Sequence, residues 1–492
     1  MSATPKFVLV VFDGLRRDII KPDLAPNLCR FLAEGSDFPL SRSVFPTSTR
    51  VNAAALATGT VSGTHGIVAN EFYDPKVFPD RLVSTGKISD IESIAAAYGG
   101  RPVTARSLGE VAADAGLRVV VVSTGTGGTT RLANPMAKEL GQVSLCLRAW
   151  ESSTPADFAR STIETFGSIP PAARPNVARI RMQTKIFIEH VFPTIQPDIS
   201  VLWYSDPDST HHYCGIGSPE SRLAIGNVDA EFGRLLDWWR RSGFSDQIQI
   251  FVLSDHGHIT ARHKVDVKQQ FSRSELRFAT HCLDDMHVTG SLGYTGGLWV
   301  STGNLPLMTK LTHWLFEQPW CGMIFTPDGN DTEGCIPGTL PRSLLMANHT
   351  RAPQIYFIMR TDDDPDMNGI EGGCYFDGEY PEGGSTHGGL HPMELNNLLA
   401  VQGSLFRQAY CSNYPAGIID VAPTILHLLR LRQPVGMSGR VLSEALIQGG
   451  VEPPEPEILE RRVDAGSRQQ RLQFVRVGST VYLNAGWVEG SD

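Results

Sequence analysis

An α/β fold, a mostly parallel sheet between helix layers, is what this 492-residue sequence predicts, and three observations carry it. Continuous apolar runs at residues 7–12, 117–122, 199–203 and 248–253 are separated by helix-like stretches, the alternation expected of a sheet buried on both faces. Between the last two runs, Ile225, Val228, Phe232, Leu235, Leu236 and Trp239 recur at three- and four-residue intervals, giving a helix one apolar stripe to lay on the sheet. Asp13, Asp208 and Asp255 lie at or just beyond the ends of three of the runs. Open α/β sheets form their sites outside the carboxyl ends of strands, so these acids fall where chemistry is expected.

Taken in order, the first run is followed by a helical pattern from Ala25 through Leu32 and by another at 51–57. A helical segment at 108–115 precedes the second run, which ends in Gly125-Thr126-Gly127-Gly128. That segment lacks the P-loop lysine and the dinucleotide-binding spacing, and is read as a tight strand-to-helix turn. Trp238 and Trp239 belong to helix packing. From 261 to 385 short apolar stretches alternate with turn-rich pieces around Asp328-Gly329 and Asp362–Asp366, which predicts an inserted cap subdomain. The α/β core is therefore assigned to 1–260 and 386–450, resuming at His387 and running through a helix at 423–431. Residues 451–492 are read as a Pro/Glu-rich linker followed by a hairpin turning at Gly478-Ser479.

Composition narrows the function classes. Hydrophobic residues at 41% and charged residues at 19% are those of an ordinary globular chain. The net charge of -9 comes without a basic run, which argues against a nucleic-acid polymer as partner. No stretch is long and apolar enough for a membrane span, and the residues after Met1 lack a secretory pattern. Eight cysteines without CxxC spacing suit reduced thiols, so a cytoplasmic location is expected. A homo-oligomer is left open.

The chemistry lies in five short segments. Phe12-Asp13-Gly14, Asp208 with His211 and His212, Ser254-Asp255-His256-Gly257 and Thr386-His387-Gly388-Gly389 supply oxygen and nitrogen donors suited to two divalent ions such as zinc. Asp208 and His212 are four apart, so one helical turn brings both to one ion; His211 is the competitor. The fifth segment, Pro46-Thr47-Ser48-Thr49-Arg50, offers a hydroxyl nucleophile ahead of a helix. Two divalent ions against three aspartates leave a site with about one net positive charge, fitted to a phosphoryl oxygen. His258 and His263, close to the metal turn, are candidates for residues behind the ligands or in the cap, with surface positions as the preferred reading.

These motifs, with Asn52, Thr58-Gly59, His65 to Asn70, and Asp420 through Arg440, occur in an order that resembles the alkaline phosphatase superfamily. The likeness is greatest to its type I phosphodiesterase/nucleotide pyrophosphatase branch, with phosphonoacetate hydrolases as near relatives. The resemblance implies an alkaline-phosphatase-like fold and a two-zinc hydrolase of small phosphate esters. One ion would be held by Asp13, Thr49, Asp255 and His256, the other by Asp208, His212 and His387. Thr49 would be the nucleophile and form a phospho-threonine, with Thr47 and Ser48 as rival hydroxyls. Asn70 would bind a non-bridging phosphoryl oxygen. Nucleotide-cleaving members carry an aromatic where this chain has Arg50, a cation able to pair with a second negative charge. Phosphonoacetate-hydrolase-like or phosphomonoesterase activity are therefore alternatives, and a catalytically inactive metal-dependent binding protein is the non-enzymatic one. Sulfatase chemistry is discounted, because no Cys/Ser-x-Pro-x-Arg pattern surrounds Thr49. A phosphoethanolamine transferase is disfavoured without a membrane anchor.

Overall fold

The computed structural model describes residues 4–282, 287–301 and 303–490. Met1 to Ala3, part of the segment read as lacking a secretory pattern, lie outside the described residues. Eight strands form the main sheet: β1 (Lys6–Phe12), β2 (Ser36–Asp37), β3 (Val119–Ser123), β4 (Val143–Cys146), β5 (Ile199–Tyr204), β6 (Ile248–Leu253), β7 (Leu399–Gln402) and β8 (Tyr410–Cys411). Their spatial order is β8-β2-β7-β6-β1-β5-β3-β4. β1 is central and parallel to both neighbours, with Phe12 opposite Tyr204 of β5 and Val11 opposite Leu253 of β6. β3 and β4 extend the parallel run, while β7 pairs antiparallel with β6. The carboxyl ends of β1, β5 and β6 therefore lie side by side.

Alternation along β1 assigns each face of the sheet its own core. Val8, Val10 and Phe12 pack with Leu28, Phe31, Ile225 and Phe232 on one face. Phe7, Leu9 and Val11 face Val51, Ala54 and a continuous core that includes Phe325, Tyr356 and Leu472. On the first face the predicted stripe lies within a 23-residue helix, Pro219–Arg241, whose buried positions include all six stripe residues. The Ser218 side chain accepts a hydrogen bond from Ser221 N at its start, and Phe232 meets Phe12 and Phe31 edge-on. Burying each such side chain contributes about 1.5–3 kcal/mol.

Residues 261–385 contribute all six strands of a second sheet, among them Thr295–Trp299, Cys321–Thr326 and Ile355–Met359. A four-stranded sheet pairs Ile259–Lys264 with Glu371–Phe376 and with Ser385–Thr386, so the approach to His387 is tied to the exit from β6. The C-terminal region differs from the expected hairpin. It is a three-stranded antiparallel sheet, Glu457–Ala465, Arg468–Val477 and Thr480–Glu489. The added strand, EILERRVDA, buries only Val463, so it has no apolar alternation to betray it. The helix expected at 423–431 is Val421–Leu428, and Arg430, at φ 58°, turns the chain away.

Candidate metal centre

Each carboxylate is delivered by a strand end and fixed by its neighbours. Asp13 follows β1; its amide donates to Tyr204 O at 3.0 Å and its Oδ2 accepts from Trp203 Nε1 at 2.8 Å. Gly14 then turns the chain at φ 69° and donates to Asp255 Oδ1 at 3.0 Å, joining the ends of β1 and β6. A Cβ at Gly14 would lie 2.5 Å from His258 Nε2 and 2.9 Å from Asp208 Cβ, so only glycine fits. Asp208 opens the helix Asp208–Cys214, which places His212 one turn on with its Nε2 3.2 Å from Asp208 Oδ1. His211 points elsewhere. It is buried, both of its ring nitrogens lack a hydrogen-bond partner, and its ring packs edge-on to His258 at 5.3 Å.

The imidazoles share one pattern. His256 Nδ1 faces Gly257 O at 3.0 Å, His212 Nδ1 faces Ser385 O at 2.8 Å, and His387 Nδ1 faces Thr47 O at 2.7 Å. A backbone carbonyl at Nδ1 fixes the proton there and leaves Nε2 as a bare donor, the arrangement that metal-ligating histidines adopt. The Nε2 atoms of His212 and His387 converge on Asp208 Oδ1, the latter at 3.5 Å, and that of His256 lies 3.3 Å from Asp255 Oδ2. Two groups result whose donor atoms lie within 4.8 Å of one another: Asp208, His212, His258 and His387, and Asp13, Asp208 and His256.

The fit to divalent ions rests on an orphaned atom. Asp255 Oδ2 is buried without a hydrogen-bond partner, although its other oxygen accepts from Gly14 N. A buried carboxylate oxygen left bare costs several kcal/mol unless a cation faces it. Electrostatics agree. Burial, with the charges of Asp255 and Asp208, holds the Asp13 carboxyl well above its usual range. Burial also raises Asp255, partly offset by His256. Asp208 goes the other way: burial would raise it, but His212 and His258 outweigh that and hold it well below. Burial and three neighbouring imidazoles keep His387 neutral.

His258 corrects the reading of the sequence. Far from being a surface residue, it is fully buried, with Nε2 3.0 Å from Asp208 Oδ1 and Nδ1 2.9 Å from Ser385 Oγ. Burial pushes its pKa down to about 3. It faces the acids from the segment that leads into the strand Ile259–Lys264, a placement that nothing in its own stretch of sequence marks. His263 is exposed, as expected.

Thr49 is the first residue of the helix Thr49–Thr58, with Oγ1 3.1 Å from His256 Nε2 and 3.5 Å from Asp13 Oδ1. Asn52 shapes the preceding loop: its Oδ1 accepts from Val44 N at 3.0 Å and its Nδ2 donates to Ser48 O at 3.1 Å. The rival Thr47 hydroxyl is committed, donating to Gly389 O and accepting from Gly388 N, both at 3.0 Å. Glu394 secures the same loop by accepting from the amides of Gly388 and Gly389 at 2.8 Å, and burial pushes its pKa up to about 7. Thr49 and Arg50 line a cavity of about 560 Å³ together with Asp13, Asp208 and His212; Thr47, Ser48 and Asn70 do not. Asn70 is held by its carbonyl, which accepts from Thr85 N and Oγ1, while its buried Oδ1 has no partner.

The chain is similar to known proteins in sequence and in fold. Residues 7–301 match the model of the type I phosphodiesterase/nucleotide pyrophosphatase family. A venom phosphodiesterase from Naja atra is 24% identical over 252 residues, 51% of this chain and 26% of that protein. A bis(5'-adenosyl)-triphosphatase from Xenopus laevis is 44% identical over 73 residues, 15% of this chain and 16% of that protein. The chain thus aligns with about a quarter or less of the length of these curated relatives. Murine ectonucleotide pyrophosphatase/phosphodiesterase 5 superposes with a TM-score of 0.60 at 18% identity, covering 87% of this chain and 96% of that one, which shows a shared α/β fold. With well over half its length inside the family model, the chain belongs to the type I phosphodiesterase/nucleotide pyrophosphatase family.

Proposed function

We propose that this chain hydrolyses small phosphate esters, phosphodiesters foremost, by attack of the Thr49 hydroxyl on phosphorus. The observation that carries this reading is Thr49 Oγ1, 3.1 Å from His256 Nε2 and 3.5 Å from Asp13 Oδ1 at the wall of a cavity. Two divalent ions, zinc by the character of the donors, held by Asp13, Thr49, Asp255 and His256 and by Asp208, His212 and His387, would supply Lewis-acid charge at the reacting phosphoryl group. The Thr49 oxygen bonds to phosphorus as the ester oxygen departs with the proton that the hydroxyl gives up. Water then cleaves the phospho-threonine and restores the hydroxyl. Its place at a helix start adds favourable dipole charge for the anion. Asn70 would hold a non-bridging oxygen and Arg50 a further negative charge.

The names of relatives support the class: venom phosphodiesterase, bis(5'-adenosyl)-triphosphatase, and an inactive threonine-to-alanine form of the murine structure in complex with AMP. Residues 261–385 would act as the cap, contributing Tyr380, whose ring stacks on His212 at 4.0 Å. Eight free cysteines support a reducing, cytoplasmic setting. No helix among the described residues is long and apolar enough to cross a membrane.

Thr49→Ala should abolish turnover of an aryl phosphodiester while zinc content stays near two per chain. Equal turnover in the variant would remove Thr49 from the mechanism. A wild-type protein that binds zinc but turns over no ester would be the inactive binding protein instead.

A further inference from the structure

The cavity beside Thr49 collects cations that the metal chemistry does not use. Besides Arg50 it is lined by Arg148, Arg174 and Arg179. They come from the turn after β4 and from the segment around the start of the helix Val177–Ile186. In a chain of net charge -9, four guanidinium groups around one cavity of about 560 Å³ are not a random draw. Among the described residues none of the four has a carboxylate within ion-pair distance.

Arg50 Nε is buried without a hydrogen-bond partner. Burial lowers its pKa from the usual value, and Tyr380, Asp208, Asp13 and Glu71 offset that only in part, none of them within ion-pair distance. Arg179 is buried and spends Nε and Nη2 on Pro170 O, which fixes the guanidinium. The acids in the wall, Asp13 and Asp208, belong to the metal centre. A buried guanidinium without a counter-ion is costly, and an anion arriving in the cavity removes that cost.

The aromatic rings at the cavity are already engaged. Tyr380 stacks on His212 at 4.0 Å, and Arg174 covers the ring of Tyr213 at 3.6 Å. The wall therefore presents forks for carboxylate or phosphate oxygens rather than a free face for a base.

We propose that the substrate carries a second anionic group, a carboxylate or phosphate, beyond the phosphoryl group that reacts, and that Arg50, Arg148, Arg174 and Arg179 bind it. This rests on the hydrolase reading above, so the test separates the two. Zinc-loaded Thr49→Ala protein, which cannot turn over, is titrated calorimetrically with methylphosphonate, phosphonoacetate and ethylene-1,2-diphosphonate. The two longer anions should bind at least tenfold tighter than methylphosphonate, and the tighter of them names the second group.

That advantage should fall at least fivefold when Arg148→Ala and Arg174→Ala are added, both at exposed positions where folding is not at stake, and should return only in part with Arg→Lys at the same sites, which keeps the charge but not the fork. Equal affinity for all three ligands overturns the proposal, as does an advantage indifferent to the arginines. Separately, wild-type turnover of 4-nitrophenyl methyl phosphate decides the hydrolase reading; its absence would sink that reading and leave the binding result to stand by itself.

Discussion

Around Asp13 the donors are mostly oxygen, two carboxylates and a hydroxyl to one imidazole; around Asp208 they are mostly nitrogen, three imidazoles to one carboxylate. The two halves touch, yet the carboxyls at their centres shift in opposite directions. Burial and neighbouring acids push the Asp13 carboxyl up, while His212 and His258 pull Asp208 down. The oxygen-rich half holds like charges that repel until a cation separates them. The nitrogen-rich half sets a single carboxylate among imidazoles, with no second acid of its own to repel. Dependence on bound metal should therefore be greatest at the carboxyl ends of β1 and β6, and weaker at the helix that follows β5.

The largest expected effect comes from Asp255→Asn, which takes one charge from the repelling pair. Metal analysis should fall from two ions per chain to one. Turnover should drop on the order of 10²–10³-fold, as when a main electrostatic stabiliser is lost. The metal-free protein should melt higher than metal-free wild type. Two ions retained in the variant would break the comparison.

His258→Ala sharpens the other half. It should weaken zinc binding on the order of 10–100-fold in competition with a chromophoric chelator. His263→Ala, at the exposed end of the strand Ile259–Lys264, should leave zinc binding unchanged. The smallest effect serves as a control outside both halves. Tyr482→Phe removes the hydroxyl that donates to buried Asp420 Oδ2 at 2.8 Å. It should cost about 1–3 kcal/mol in denaturant unfolding with metal content intact.

How much was legible depended on whether neighbours in sequence are neighbours in space. Asp13, Asp208 and Asp255 could be placed because each adjoins a fully buried strand whose apolar run cannot be mistaken. The helix Pro219–Arg241 announced itself by a stripe that is buried as drawn. His258 escaped because a histidine in a polar turn looks the same in sequence whether it faces water or an acid. Arg148, Arg174 and Arg179 escaped for another reason: nothing in their own segments says that one wall collects them. The strands between 287 and 359 are short and glycine-bearing, as at Gly290, Gly296 and Gly322, and give a weak period-2 signal.

His387 meets the carbonyl of Thr47 across 340 residues of chain. All of the other donors are synthesised within the first 258 positions, but the intervening sheets must form before this imidazole can arrive. Closing so long a loop is slow and comes late. Zinc uptake by the Asp208 group is therefore expected only after the intervening sheets have formed, later than at the Asp13 group, whose donors end at His256.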